Sequence, residues 1–191
     1  MSAVLLGVKI YVGKDDDEDE TTLQVCDRLI KEAGLTGAKG RVLYTDNYYT
    51  SMKLAKHIFE KYSWTIVGTI VPTNKKSYAD HDIPFLKLSN GARNGLERGW
   101  YHKSAIKLKT PTSKQYYIQC TTWRDKKQVI FLSSNIVGYS DGMTVRCNSC
   151  GKRQRDEFPG PRAQRDYIRY FNAVDRNDRD SADWSTSFRT I

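Results

Sequence analysis

Two groups of carboxylates stand where acid-based chemistry could be done. Asp46 directly follows the strand-like run Arg41–Thr45 (RVLYT) and precedes the turn Asn47-Tyr48-Tyr49-Thr50. In open α/β sheets, ligands gather beyond the carboxyl ends of strands, and Asp46 occupies that place. An Asp-Asn pair there is equally ordinary turn and capping chemistry, because both side chains bond nearby backbone N–H groups. Asp175 and Asp178 are three residues apart near the C-terminus. On a helix they share a face, where two oxygen donors suit a hard cation such as Mg²⁺. Arg176, Arg179, Asp180 and Asp183 surround them, so a solvated charged face fits the spacing as well.

The elements that must carry these groups follow from periodicity. Residues 3–12 read as a buried strand, and the acidic run Asp15–Glu20 after it as a solvated loop. Thr21 or Thr22 caps a helix with Leu23, Cys26, Leu29, Ile30 and Ala33 on one face, and Gly34 stops it. Arg41–Thr45 is a short strand. Ser51 starts a helix whose apolar side is Met52, Ala55, Ile58, Phe59 and Tyr62, and Trp64–Val71 is a further strand. Strand, helix and strand so close together make a βαβ unit with parallel strands. Periodicity fails from Pro72 to about residue 104, which predicts long loops. Tyr116–Trp123 and Gln128–Ser134 predict an antiparallel hairpin across residues 124–127. Residues 139–161 read as loop, and Pro161 opens a final helix carrying Tyr167, Tyr170, Phe171 and Val174.

Composition narrows the function. The 191 residues suit one domain plus at most an insertion, and 12% aromatic content argues against a disordered chain. No apolar run reaches the ~20 residues of a membrane span, residues 1–20 do not read as a secretory signal, and four Cys are too few for a disulfide scaffold. The formal charge is +9 and unevenly placed: residues 72–140 hold 12 basic residues against 4 acidic ones, between two nearly neutral flanks. Such a block attracts a polyanion and makes binding salt-dependent, although a basic surface also serves solubility alone. Cys147 and Cys150 have half of a zinc-knuckle spacing, but neither Cys nor His follows them, so zinc is not expected there.

Four blocks run in order along the chain: Tyr11–Lys14 (YVGK), Gly40–Phe59 with Val67–Lys75 (VGTIVPTNK), Trp123–Ser133 (WRDKKQVIFLS) and Asp166–Asp178 (DYIRYFNAVDRND). Together they resemble the piggyBac-type transposases and their domesticated derivatives. The resemblance implies an α/β fold: an RNase H-like mixed sheet flanked by helices, with a basic β-containing insertion. Residues 1–71 would form the first part of that core, 72–160 the insertion with its hairpin, and 161–191 the C-terminal helical part. It implies a DDE/DDD triad binding two divalent metals, Mg²⁺ or Mn²⁺, with Asp46 as the second triad carboxylate, Asp175 as the third and Asp178 assisting. Lys75, Lys76, Arg124, Lys126, Lys127 and Arg176 are the cations expected beside a DNA backbone. The implied partner is double-stranded DNA, as transposon ends and TTAA-type targets, with no membrane partner. The family suggests a nuclear location and is compatible with a homodimer.

The family's first Asp lies on the strand before the Tyr-x-Gly-Lys block, and none of the residues before Tyr11 is acidic. The first catalytic strand is therefore expected to be missing. Asn172-Ala173 also replaces the family's Gly-Gly before Val174-Asp175. The expectation is an incomplete core, inactive alone, because carboxylates of such a set act as a unit. The alternative is a domesticated DNA-binding or protein-interaction module that keeps the scaffold without catalysis.

Overall fold

The computed structural model describes residues 21–70, 95–109, 115–134, 141–147 and 155–171. The expected strand at 3–12, the acidic run, and Lys75, Lys76, Cys150, Asp175, Arg176 and Asp178 lie outside the described residues. The chain divides into two compact units, residues 1–38 with 168–191, and residues 39–167.

In the first unit, helix α1 (Thr22–Glu32) begins at a capping box. The Thr21 hydroxyl oxygen accepts the Gln24 N–H, and the Gln24 side-chain oxygen accepts the Thr21 N–H at 2.8 Å. Two otherwise orphaned donors are satisfied reciprocally. Gly34 takes φ +66° just past the end, and the Leu35 N–H returns to the Ile30 carbonyl at 3.0 Å. This left-handed closure is why the helix stops where the glycine stands.

The second unit is built on a five-stranded mixed sheet in the order β1-β2-β5-β4-β3, with strands β1 (Val42–Thr45), β2 (Thr65–Ile70), β3 (Tyr101–Lys109), β4 (Gln115–Arg124) and β5 (Gln128–Ser134). β1 and β2 are parallel, joined by helix α2 (Met52–Tyr62); the other neighbours are antiparallel. A separate ribbon pairs β6 (Gly142–Cys147) with β7 (Arg155–Gly160), and a helix, α3, is described over residues 162–171. The βαβ unit, the β4–β5 hairpin and the helix after Pro161 all stand where periodicity puts them.

Pleating sorts the side chains onto two faces, because opposite residues on paired strands point the same way. One face carries Ile66, Ile118, Leu132 and Tyr116, all fully buried, and α2 covers it: Phe59 stacks on Tyr116 with ring centroids 4.6 Å apart. The other face carries Trp123 and Phe131, which pack with Phe158 of β7 and Ala163 of α3. Trp123 stacks on Phe158 at 6.1 Å and its indole N–H donates to the Pro159 carbonyl at 3.1 Å. β4 and β5 are therefore buried on both sides, which is why they read as nearly continuous apolar runs.

Two expectations are corrected. The loop predicted from Pro72 to about residue 104 ends earlier, since β3 begins at Tyr101. β3 is an edge strand with half-buried and exposed positions interleaved and lysines at 103, 107 and 109, so no apolar run announces it. The segment predicted as loop over 139–161 contains β6 and β7. The ribbon's exposed charges, Arg155, Asp156 and Glu157, together with Pro159, disguise it as loop. Proline is tolerated there because a two-stranded ribbon leaves one side of each strand unpaired.

Candidate active site

Asp46 caps the C-terminal end of β1. Its Oδ1 accepts the N–H groups of Tyr48 at 3.0 Å and Tyr49 at 3.1 Å, closing the turn that leads to α2. The side chain thus performs the capping role, while Oδ2 accepts no hydrogen bond among the described residues. Below it, the fully buried Thr50 locks the turn onto the strand. Its hydroxyl lies 2.8 Å from the Thr45 hydroxyl and also donates to the Asp46 carbonyl, and its N–H donates to that carbonyl at 3.0 Å. Ser51 then caps α2, accepting the Leu54 N–H at 3.1 Å.

This lock requires Gly68. Gly68 sits opposite Thr45 in the β1–β2 register. A Cβ there would stand 2.6 Å from the Thr45 hydroxyl oxygen, 2.7 Å from the Thr45 carbonyl oxygen, and closer still to the Thr50 hydroxyl. No side chain fits, which gives the Val67-Gly68-Thr69 block a steric reason. Tyr48, 73% exposed, stands on the same turn with its ring edge-on to Tyr49 at 5.1 Å.

The sheet register brings three of the candidate cations, Arg124, Lys126 and Lys127, to the same end as Asp46. Thr45 is level with Gly68, Gly68 with Leu132, and Leu132 with Cys120. From that level β4 continues to Arg124, past the level of Asp46 by about 10 Å at ~3.3 Å per residue. The tip there, Asp125-Lys126-Lys127, lies two to three strands from β1, roughly 10–14 Å to the side at ~4.8 Å per strand. Lys126 and Lys127 are exposed at this tip, and Arg124 is half-buried at its base. Arg124 is held by its backbone, accepting the Gly99 N–H at 2.7 Å and donating to the Trp100 carbonyl at 2.8 Å.

A second organised carboxylate, Asp141, is not evident from sequence. It accepts the Tyr101 hydroxyl at 3.0 Å, the Arg162 N–H at the start of α3 at 3.0 Å, and the Lys103 ammonium. Burial pushes its carboxyl up, but the Lys103 bond, the Arg162 N–H, the Tyr101 hydroxyl and the Lys103 charge together hold it below the usual carboxylate range. It ties β3 to the start of α3. The two buried free cysteines are equally internal: burial, with the Asp27 charge, pushes the Cys26 thiol up to about 11, and burial alone pushes Cys120 to about 12. Neither is a ready nucleophile or metal ligand. Cys147 lies in β6, opposite Arg155, and its side chain is outside the described set.

As a cation site, the described residues offer one well-placed hard donor, Asp46 Oδ2; no group of three His, Cys, Asp or Glu comes together among them. The carboxylate oxygen is a hard donor of the kind a divalent cation takes.

Residues 1–190 match a protein-family model described as Transposase IS4. No curated protein matches the chain. Among solved structures, the chain is similar to a piggyBac transposase in a synaptic complex with hairpin DNA, determined by cryo-EM. Identity is 18% and the TM-score 0.48, over 90% of this chain and 30% of that one. The chain thus spans less than a third of that chain's length.

Proposed function

The chain belongs to the transposase IS4 family, a family that implies a divalent metal, and from that membership we propose that it carries part of a piggyBac-type DDE catalytic core with an RNase H-like topology. Support comes from the parallel β1–β2 pair with its α2 crossover, followed by further sheet strands, and from the four ordered sequence blocks. In this reading residues 1–71 and 161–191 build the core and 72–160 the basic insertion. Its partner is double-stranded DNA at transposon ends and TTAA-type targets, and its place of work is the nucleus.

The observation that carries the proposal is the placement of Asp46. A carboxylate is pinned at the end of β1 by two backbone N–H groups, one oxygen is left available, and exposed lysines of the β4–β5 tip stand at the same end of the sheet. Asp46, with Asp175 and Asp178, would hold the cations; Mg²⁺ or Mn²⁺ bound there would supply charge stabilisation to the attacking and leaving oxygens of an in-line phosphoryl displacement. The Thr45–Thr50 lock keeps Asp46 from swinging, so its orientation is set before substrate arrives. Lys126 and Lys127 hold the DNA backbone electrostatically, and Arg124 stiffens the base of their turn. Lys75, Lys76 and Arg176 are the further cations that the family resemblance assigns to the DNA backbone.

The test uses the chain and a version extended upstream to supply a first carboxylate. With Mg²⁺ or Mn²⁺, the extended form nicks transposon-end duplex, and Asp46→Asn lowers the rate by at least about 10³-fold while leaving DNA affinity intact. DNA binding without nicking in either form would assign the chain to the non-catalytic class of DNA-binding modules. Nicking indifferent to Asp46→Asn would remove Asp46 from the site.

A further inference from the structure

A cavity of about 480 Å³ opens at the start of β3, lined by residues that include Leu96, Glu97, Arg98, Trp100, Tyr101 and Pro159. Its size is that of a small-ligand site. We propose that it takes an unpaired nucleobase of the bound DNA strand, stacked on the Trp100 indole. The proposal deepens the DNA-binding reading above and rests on it.

The walls are rigid. Gly99, at φ +92°, lets the chain pass against β7, where a Cβ would lie 2.9 Å from Pro159 Cδ. The Gly99 N–H and the Trp100 carbonyl are both bonded to the Arg124 backbone, so the platform residue extends the β3–β4 ladder. Arg98 is fixed by its ion pair with Asp125 at 2.6 Å and by lying 4.4 Å over the Phe158 ring, which makes it a wall. The Trp100 ring is half-buried and nearly parallel to the His102 ring, 13° apart in plane at 6.5 Å between centroids.

Electrostatics selects the occupant. The residue paired with Trp100 is Arg124, and Lys126 and Lys127 follow at the exposed tip of the same hairpin. An aromatic platform with cations set beside it matches a single strand, whose bases stack while its phosphates follow the charge. Register also fixes the distance to Asp46. Trp100 lies four strands from β1, on the order of 20 Å at ~4.8 Å per strand, and at the same end of the sheet. A base held there belongs to the flank of the DNA, several nucleotides from a phosphate at Asp46.

The experiment measures binding of the full chain to a fluorescent duplex and to the same duplex carrying a four-nucleotide single-stranded overhang. Wild-type protein is expected to prefer the overhang. Trp100→Ala should lose about 5- to 150-fold in affinity for the overhang substrate alone, and Trp100→Phe should keep most of it. Lys126→Ala with Lys127→Ala should weaken both substrates and flatten the salt dependence. Equal wild-type affinity for the two substrates, or a Trp100→Ala effect absent or equal on both, overturns the proposal and leaves DNA binding standing. No binding to either substrate overturns the parent reading. Should Trp100→Ala fail to fold, photocrosslinking of wild-type protein to a 5-iododeoxyuridine overhang decides: crosslinks at Trp100 support the site, and crosslinks only outside residues 95–101 refute it.

Discussion

Replacing Gly68 by alanine tests the lock beneath Asp46. The new methyl would overlap the Thr45 hydroxyl and carbonyl oxygens at 2.6 and 2.7 Å and meet the Thr50 hydroxyl more closely still. Thr45 and Thr50 are 8% and 1% exposed, so neither can move into solvent without opening the β1–α2 turn. Overpacking of this kind costs about 1–3 kcal/mol, and losing the Thr45–Thr50 hydrogen bond adds about 1 kcal/mol. The expected loss is about 2–4 kcal/mol, a fall in Tm of roughly 4–16 °C for a chain of this size. Thermal and urea unfolding of wild type, Gly68→Ala, Thr50→Ala and the double variant form a cycle. Removing the threonine hydroxyl makes partial room for the methyl, so the double variant should cost at least about 0.5 kcal/mol less than the sum of the singles. A Gly68→Ala protein within 0.5 kcal/mol of wild type, or a strictly additive cycle, would refute the steric argument.

The Tyr116 hydroxyl is buried without a hydrogen-bond partner among the described residues, and burial with the nearby Glu60 charge pushes its pKa up to about 12. Tyr116→Phe should therefore raise stability by about 1 kcal/mol in urea titration, and a loss of stability would contradict the assignment. Ser63 closes α2 at φ 55°, a left-handed conformation that disfavours any Cβ. Ser63→Gly should gain up to about 1 kcal/mol, read as a higher unfolding midpoint. The depressed pKa of Asp141 contributes stability that is fully present above the unfolded carboxylate value of about 3.9 and is lost as pH falls through the lower folded value. Asp141→Asn should thus unfold more easily at pH 7 and show a shallower stability decline below about pH 5; an unchanged pH profile would argue against the node.

The fold was legible wherever burial left a regular apolar pattern, one-sided in the helices and two-sided in the central strands. α1 and α2 announced themselves by helical spacing and by Thr21 and Ser51 at their starts, and β2, β4 and β5 by dense apolar residues that the two covering layers explain. The family match bears out the transposase resemblance drawn from the ordered blocks. β3, β6 and β7 were hidden because edge strands bury little and carry lysine, arginine and proline. At the site, Asp46 could be placed at a strand end, and its turn-closing hydrogen bonds confirm the ordinary capping reading alongside whatever chemistry it performs. Asp141 was illegible, since its three partners come from sequence positions 101, 103 and 162 and only the fold unites them. The cation track was visible as charge, but its alignment with Asp46 depends on strand register, which composition does not encode.

Because β2 pairs with β1 on one side and with β5 on the other, the acid and the lysine-bearing tip are mounted on one continuous ladder. The tip is a turn at the far end of a hairpin whose shafts are clamped from both faces. Residues can be added to or removed from that turn without shifting a single rung beneath Asp46. A lineage could thus lengthen or shorten the reach of this basic tip while the carboxylate stays put, and variation in Asp125–Lys127 among related chains is the freedom this architecture grants.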